Sequence, residues 1–214
     1  MPPARAHRLG SRARGEKARL RALLSRPTAE AARGLIGCFL VRRERDRTRA
    51  ARIVEAEAYL GASDPAAHVS RGRTPRTEPL FGPPGTLYVY FVYGMYHCLN
   101  LAVDGPDTAG CVLVRAAEPV PGSGLAADAC RGPGRLCRAL RIDTRLSGRH
   151  LFEPGAPLTL REGPGPRRVR VSRRVGIREA AERRLRFYDP ESPAVSAPPR
   201  AGISFRTAPR RGRP

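Results

Sequence analysis

Two glutamates and a tyrosine alternate in one apolar segment of the chain. Glu55, Glu57 and Tyr59 stand two residues apart within residues 51–60. A β-strand places every second side chain on the same face, so these three are expected to point one way. A glutamate that points from an apolar strand into a pocket can act as a general base, whereas a solvated or ion-paired strand face is the alternative. Glu57 is the candidate for acid–base chemistry.

Tyrosines form a second cluster that could do chemistry. Tyr88, Tyr90, Tyr93 and Tyr96 fall within nine residues of a chain that contains no tryptophan. The first two share one face of a predicted strand, and the last two lie beside Gly94, where the chain is expected to bend. Rings beside such a bend can stack on nucleobases or wedge between them. Packing into the core is the alternative, and we favour it for Tyr88 and Tyr96.

The charge of the chain indicates a polyanionic partner. The 214 residues include 40 Lys plus Arg against 19 Asp plus Glu, a formal net charge of +21. The excess lies in both flanks, because residues 51–120 contain more acidic than basic side chains. No apolar run approaches the roughly 20 residues of a membrane span, and no secretory signal is recognised. We therefore expect a cytoplasmic protein without membrane contact.

Cysteine and lysine usage excludes several chemistries. Five cysteines without close pairs argue against a disulfide framework, and no zinc-ligand spacing occurs, so buried, reduced thiols and no metal are expected. Lys17 is the single lysine. A mechanism that needs a lysine Schiff base therefore has almost no candidate.

The elements that must position these residues predict an α+β domain. We expect a single domain with a curved, largely antiparallel β-sheet and short flanking helices. A basic leader without regular structure is expected over 1–22, the folded domain over 23–198 and a basic tail over 199–214. Helices are predicted at 29–35 and 135–142, an irregular segment at 61–86, and strands at 36–43, 51–60, two within 87–103, 111–117, around 158, 169–175 and 185–188.

Taken in order, these stretches resemble one family, the alkyladenine DNA glycosylases, also called 3-methyladenine DNA glycosylases of the mammalian type. The resemblance covers about residues 26–196. Its motifs are VEAEAYLG at 54–61, DPAAH at 64–68, TPR at 74–76, GTLYVY at 85–90, YGMY at 93–96, Asn100, CVLVRA at 111–116, RVG at 174–176 and LRFY at 185–188.

The resemblance implies a monofunctional enzyme that hydrolyses the N-glycosidic bond of alkylated or deaminated purines in duplex DNA, without a cofactor. Glu57 matches the general base that deprotonates the attacking water. Arg115 matches the arginine that helps to hold that water, and the carbonyl of Val175 matches a third contact to it. A monomer is expected for a protein that tracks DNA.

The resemblance also assigns the pocket and the DNA contacts. Tyr59, His68 and Tyr90 match the walls around the flipped base, and Asn100 matches the residue that crowds the exocyclic amine of guanine. Tyr93 matches the residue inserted into the duplex. The other residues expected to contact DNA are Met95, Arg76, Gly132 and Arg135, the last two at the start of a helix whose free donors can receive a phosphate.

The chemistry agrees with these residue types. A base must leave the stack before its sugar carbon can be attacked, at a cost of a few kcal/mol. Alkylation at N3 or N7 makes the purine cationic, and tyrosine faces favour a cation by roughly 0.5–2 kcal/mol each. Such a base leaves readily, so one carboxylate can suffice. For neutral bases His68 is a weak candidate acid.

Two alternatives remain open at this point. A bifunctional glycosylase and lyase could use the amine of Pro2 after removal of Met1. A non-catalytic RNA-binding or ribosome-associated protein would share the small size and the arginine-rich ends.

Overall fold

A computed structural model describes residues 4–196, with side chains from residue 13 onward. Its helices are α1 (Ala4–Leu24), α2 (Thr28–Gly34) and α3 (Pro133–Ala139). Short 3-10 helices lie at Gly61–Ser63, His68–Arg71, Glu78–Phe81 and Thr144–Leu146. The strands are β1 (Phe39–Arg43), β2 (Thr48–Tyr59), β3 (Leu87–Val92), β4 (Tyr96–Val103), β5 (Gly110–Pro119), β6 (Leu158–Arg161), β7 (Arg170–Ser172) and β8 (Arg186–Tyr188).

The described strands form one antiparallel sheet in the order β3-β4-β5-β2-β1-β6, with β8 pairing with both β2 and β7. Three helices accompany it. The predicted α+β class with an antiparallel sheet is confirmed. No described helix is long and apolar enough to cross a membrane.

Strand β2 is the axis of the sheet. Strand β5 pairs along one edge, while β1 and then β8 pair along the other, so Glu55–Glu57 has a partner strand on both sides. The β2–β5 register shifts around Glu55, which leaves Val54 on β2 and Arg115 on β5 as the extra residues. Such bulges redirect a side chain relative to a regular strand, here that of Arg115.

The main core lies between the sheet and the helices. Leu40, Ile53 and Leu99 of the sheet are fully buried, as are Leu136 and Leu140 in and just after α3. Each such side chain contributes about 1.5–3 kcal/mol relative to remaining in water. This core fixes the backbone that carries the polar side chains described below.

The expected leader through residue 22 needs correction. Helix α1 extends to Leu24, and both Leu20 and Leu24 are buried in the main core. Lys17 Nζ donates to the carbonyl of Phe152 at 2.7 Å, and Glu16 pairs with Arg161. The segment is rich in Ala, Arg and Leu, which favour helices, and the i, i+4 leucines give it a docking stripe.

Other boundaries differ by a few residues. The second predicted helix begins at Pro133 rather than at residue 135, because proline suits the first helical turn. The strand predicted at 169–175 is limited to Arg170–Ser172. The expected tail at 199–214 lies outside the described residues.

Candidate active site

Glu57 lies in the middle of the sheet, completely buried. The N–H of Val175 donates to its Oε1 at 2.8 Å, and the hydroxyl of Tyr59 donates to its Oε2 at 3.1 Å. Arg115 Nε lies 3.4 Å from Oε1. Both carboxylate oxygens are therefore held in fixed positions.

The environment of Glu57 makes it a stronger base than a free glutamate. Burial raises the pKa of Glu57 above its ordinary value, and the nearby Glu55 acts in the same direction. Arg115, the Val175 N–H and the Tyr59 hydroxyl lower that pKa without cancelling the rise. A general base gains proton affinity from such a shift.

A row of paired residues crosses five strands at the level of Glu57. Tyr88 on β3 pairs with Asn100, Asn100 with Leu113, Leu113 with Glu57, and Glu57 with Arg186. Directly paired residues share one face of a sheet. Asn100 is buried and its Nδ2 donates to the carbonyl of Tyr88 at 3.2 Å. The sheet thus carries Asn100 and Glu57 on the same face.

Aromatic rings border this row. The ring centroids of His68 and Tyr90 lie 4.7 Å apart in an edge-to-face arrangement, and those of Tyr88 and Tyr90 lie 5.4 Å apart. His68 Nδ1 is 2.8 Å from the Tyr88 hydroxyl. Tyr59 and Tyr90 pack against the same buried cluster, which contains Ala67 and Val69 on either side of His68. Tyr88 is buried, which agrees with the core packing favoured for it.

His68 is a poor proton donor at neutral pH. Burial lowers the pKa of His68 below 6.5, and the charges of Arg76 and Arg71 lower it further. The imidazole is therefore mostly neutral near pH 7. A neutral ring does not repel a cationic ligand, but it has no readily released proton for a neutral leaving base.

A buried ion pair lies against the ring of Tyr59. Arg174 binds Asp64 through two hydrogen bonds of 2.5 and 2.9 Å, and neither side chain is exposed. The guanidinium of Arg174 lies 4.7 Å from the Tyr59 ring centroid. This pair joins the segment that carries His68 to the segment that carries Val175.

Sequence reasoning assigned no role to Asp64 or Arg174. Both stand within motifs that carried the resemblance, three residues before Ala67 and directly before Val175. The signal in the sequence that could have indicated their importance is that both are charged and stand in motifs next to site residues. Nothing in the sequence pairs two residues that are 110 positions apart.

Two cavities border the aromatic cluster. One of about 480 Å³ includes His68, Arg71 and Ile177 in its wall, and one of about 530 Å³ includes Tyr90 and Phe91. Arg76 lines both, with its guanidinium 5.2 Å from the Tyr90 ring centroid. Glu57 lines neither of these two cavities, since its hydrogen-bond partners enclose it.

The β3–β4 hairpin ends in an exposed apolar tip. Tyr93 is 64 % exposed and Met95 is 61 % exposed. Tyr93 and Gly94 have φ values of +54° and +66°, as required by the tight turns that match the twist of antiparallel strands. Tyr96 is also exposed, which corrects the core position favoured for it, because it lies at the first residue of β4 beside this turn.

The start of α3 lies against the hairpin. A Cβ atom on Gly134 would come within 2.8 Å of Cδ1 of Tyr96, so the close approach requires glycine. Gly132 has a φ of +127°, which also favours glycine. Arg135 pairs with Asp128 on the surface. Gly132, Arg135 and the hairpin tip are thus brought to one side of the molecule.

The structure therefore groups the residues singled out in the sequence into two places. Glu57 is in direct contact with Tyr59, Arg115 and the N–H of Val175. His68, Tyr90 and Asn100 border them. The expected contact of the Val175 carbonyl with the attacking water stays a prediction. The residues at the other place are Tyr93, Met95, Gly132 and Arg135.

No group of three or more His, Cys, Asp or Glu among the described residues could hold a metal ion.

Comparisons with known proteins identify the family of this site. The pattern of the methylpurine-DNA glycosylase family matches residues 22–193. The chain belongs to the methylpurine-DNA glycosylase family. Membership confirms the resemblance seen in the sequence and makes this protein a DNA glycosylase, an enzyme of DNA repair that acts on DNA. It also favours the enzyme over the RNA-binding alternative.

Individual relatives of this chain cover most of its length. They carry the provisional name 3-methyladenine DNA glycosylase. The protein from Synechococcus elongatus is 48 % identical over 81 % of this chain and 88 % of its own. The protein from Myxococcus xanthus is 43 % identical over 83 % and 93 %, and that from Methanocella arvoryzae is 41 % identical over 80 % and 92 %.

Proposed function

We propose that this DNA glycosylase rotates alkylated or deaminated purines out of duplex DNA and hydrolyses their N-glycosidic bond with a water activated by Glu57. The observation that carries the proposal is a buried carboxylate of raised pKa beside a cluster of tyrosine and histidine rings. The name shared by the relatives, 3-methyladenine DNA glycosylase, supports an alkylated purine as substrate.

The proposed step moves one proton and breaks one bond. Glu57 accepts a proton from water, the water oxygen forms a bond to C1′ of the sugar, and the bond from C1′ to the purine nitrogen breaks. The departing base takes the electron pair of that bond. A purine alkylated at N3 or N7 becomes neutral as it leaves, so it needs no acid, which fits the neutral His68.

Glu57 has no exposed surface, so we infer that water enters beside it when one of its present partners moves. The Val175 N–H belongs to the main chain, and Arg115 is held by Glu55 at 2.9 Å. The Tyr59 hydroxyl is attached to Glu57 by one hydrogen bond of 3.1 Å. Release of Tyr59, whose ring then faces the base, is the movement that opens the carboxylate.

The hairpin tip supports the rotation of the base. Unstacking costs a few kcal/mol, and a side chain that fills the vacated space offsets part of it. Tyr93 and Met95 are the most exposed apolar side chains at the turn, on the same side as Gly132 and Arg135. We expect Tyr93 to be the wedge and the basic surface around it to bind phosphates.

Two features support hydrolysis without a lyase step. Lys17, the single lysine, is bound to the carbonyl of Phe152 in the main body rather than to any of the site residues. Pro2 lies outside the described residues. The cytoplasmic location, the monomer and the absence of a cofactor stay predictions.

The decisive experiment replaces Glu57, the proposed general base, with glutamine. Glu57→Gln should bind duplex DNA with one 3-methyladenine or hypoxanthine as tightly as the native enzyme, because the contacts with DNA remain. Release of the free base, measured by chromatography in single turnover, should fall by about 10²- to 10⁴-fold.

Glu118→Gln is the matched control, since Glu118 lies at the other end of the β2–β5 pairing and binds Arg52. Its rate of base release should equal that of the native enzyme. Turnover by Glu57→Gln at the native rate would remove Glu57 from the mechanism.

A further inference from the structure

Glu55 is a second buried carboxylate in the centre of the sheet, and its oxygens are fully engaged. Its Oε1 accepts from Arg115 Nε at 2.9 Å, Arg186 Nε at 2.6 Å and the Ser196 hydroxyl at 2.8 Å. Its Oε2 accepts from the Ser196 N–H at 2.7 Å. Glu55 has no exposed surface, and its hydrogen-bond donors are Arg115, Arg186 and Ser196, whereas Glu57 also accepts from the hydroxyl of Tyr59.

Arg115 is shared unequally between the two carboxylates. Its Nε lies 2.9 Å from Glu55 Oε1 and 3.4 Å from Glu57 Oε1. Its second guanidinium nitrogen, Nη2, donates to the Ser196 hydroxyl at 3.4 Å. Arg115 is the extra residue at the register shift of β5 and lies between the two glutamates, closer to Glu55 than to Glu57.

We propose that Glu55 is a positioning residue that holds Arg115 beside the Glu57 carboxylate instead of directly on it. This inference rests on the proposed function of Glu57. A guanidinium that closed on Glu57 with two hydrogen bonds would neutralise the base and block the water. Glu55, anchored by Arg186 and Ser196, competes for the guanidinium and leaves Glu57 able to accept a proton.

The other groups around Glu57 do not replace Glu55 in this role. Tyr59 on β2 and the Val175 N–H donate hydrogen bonds to Glu57. Arg174 is committed to Asp64, and Cys98 on β4 is a protonated thiol, since burial raises its pKa. Arg186 on β8 binds Glu55. Glu55 is therefore the acidic group that sets the distance between Arg115 and the carboxylate of Glu57.

The test is the pH profile of base release by Glu55→Gln. Loss of this negative charge removes a repulsion that raises the proton affinity of Glu57, and it frees Arg115 to approach. The acidic limb of the kcat profile should move to lower pH by about one unit. At neutral pH kcat should fall by about 10- to 100-fold, since the base is weaker and more closely paired, with KM unchanged.

Asp189→Asn is the matched control. Asp189 is buried, directly follows β8 and pairs with Arg52 on the same strand as Glu55. Its replacement should lower the unfolding temperature and leave both kcat and the acidic limb unchanged. A displacement of the limb separates positioning from a general loss of stability.

Ser196→Ala tests the same contact if Glu55→Gln does not fold. It removes the hydroxyl that bridges Glu55 and Arg115 but keeps the main-chain donor. The same changes, reduced to about 2- to 5-fold in kcat, should appear.

The outcomes separate the two proposals. If Glu57→Gln is inactive while folded Glu55→Gln keeps the native acidic limb, the positioning role is wrong and the proposed function stands, whatever happens to kcat. If Glu57→Gln retains native turnover, the proposed function fails, and with it the role of Glu55. A shifted limb in Glu55→Gln together with an inactive Glu57→Gln supports both.

Discussion

The centre of the sheet and the tip of the β3–β4 hairpin are built in opposite ways. Around Glu55 and Glu57, charged groups are buried and each carboxylate oxygen has a defined donor. At the tip, Tyr93 and Met95 leave most of their apolar surface in water. Both arrangements are unfavourable for an isolated protein, one through lost hydration of charge and the other through exposed hydrocarbon.

The contrast agrees with the two roles proposed for these regions. A base must have fixed partners and a tuned proton affinity before the substrate arrives, so its surroundings are completed by folding. The proposed wedge would act inside the duplex, so we expect the exposed apolar surface of the tip to become covered when DNA binds. Stability should therefore depend on the sheet centre, and affinity for DNA on the tip.

The largest expected effect tests the buried side of the contrast. Asp64→Ala leaves the buried guanidinium of Arg174 without its partner beside Tyr59. Breaking a buried pair in this way costs about 3–5 kcal/mol of unfolding free energy, which urea denaturation measures.

Glu78→Ala provides the exposed counterpart, because Glu78 binds Arg73 on the surface with two hydrogen bonds. Its urea midpoint should stay close to that of the native protein. Equal shifts of the urea midpoint in Asp64→Ala and Glu78→Ala would contradict the view that a buried ion pair matters more to stability than an exposed one.

A smaller effect tests the hairpin tip. Tyr93→Ser removes the proposed wedge without touching the core, so the unfolding temperature should hardly change. Affinity for damaged duplex, measured by fluorescence anisotropy, should fall about tenfold, within the range of one lost stacking contact.

The matching measurement for Tyr93→Ser uses a duplex with a preformed abasic site. This duplex needs less help to open, so its loss of affinity should be smaller. Tyr93→Phe retains the ring and should bind like the native enzyme. Equal losses on the two duplexes would refute the wedge.

The smallest effect concerns pH. Because the pKa of Glu57 is raised in the folded protein above its ordinary value of 4.5, the folded state binds more protons than the unfolded state in the window above 4.5. The contribution of Glu57 to stability is thus full below pH 4.5 and is lost as pH rises through the folded value. Glu57→Gln should consequently melt slightly higher than the native enzyme at neutral pH, with the gain disappearing below pH 4.5. A lower melting temperature at both pH values would contradict the raised pKa.

Much of the sheet could be predicted from the sequence. The alternation in β2 and the two strands around Gly94 reflect local rules of side-chain direction and turn geometry, and both are confirmed. The grouping of Glu57 with Tyr59 follows from the same alternation. The roles of the site residues rested on the resemblance to the family and remain predictions.

Other features depended on contacts that no local rule contains. The docking of α1 rests on Leu20 and Leu24 meeting a core built from distant segments. The position of Arg115 depends on a bulge without a glycine to mark it. The Asp64–Arg174 pair joins two segments far apart in the chain. Tyr96 was misplaced because a position next to a turn alternates between core and surface within one residue.

Glu55–Glu57 pairs with β5 along one edge and with β8 along the other. We expect this double pairing to keep the proposed general base in one geometry for a long time. Freeing this segment requires two ladders to unzip together, so its amide protons should exchange with deuterium only when the whole domain unfolds. We therefore expect two populations in solution, a folded one in which Glu55–Glu57 is paired on both sides and an unfolded one. A partly folded population in which this segment alone has lost its pairing is not expected.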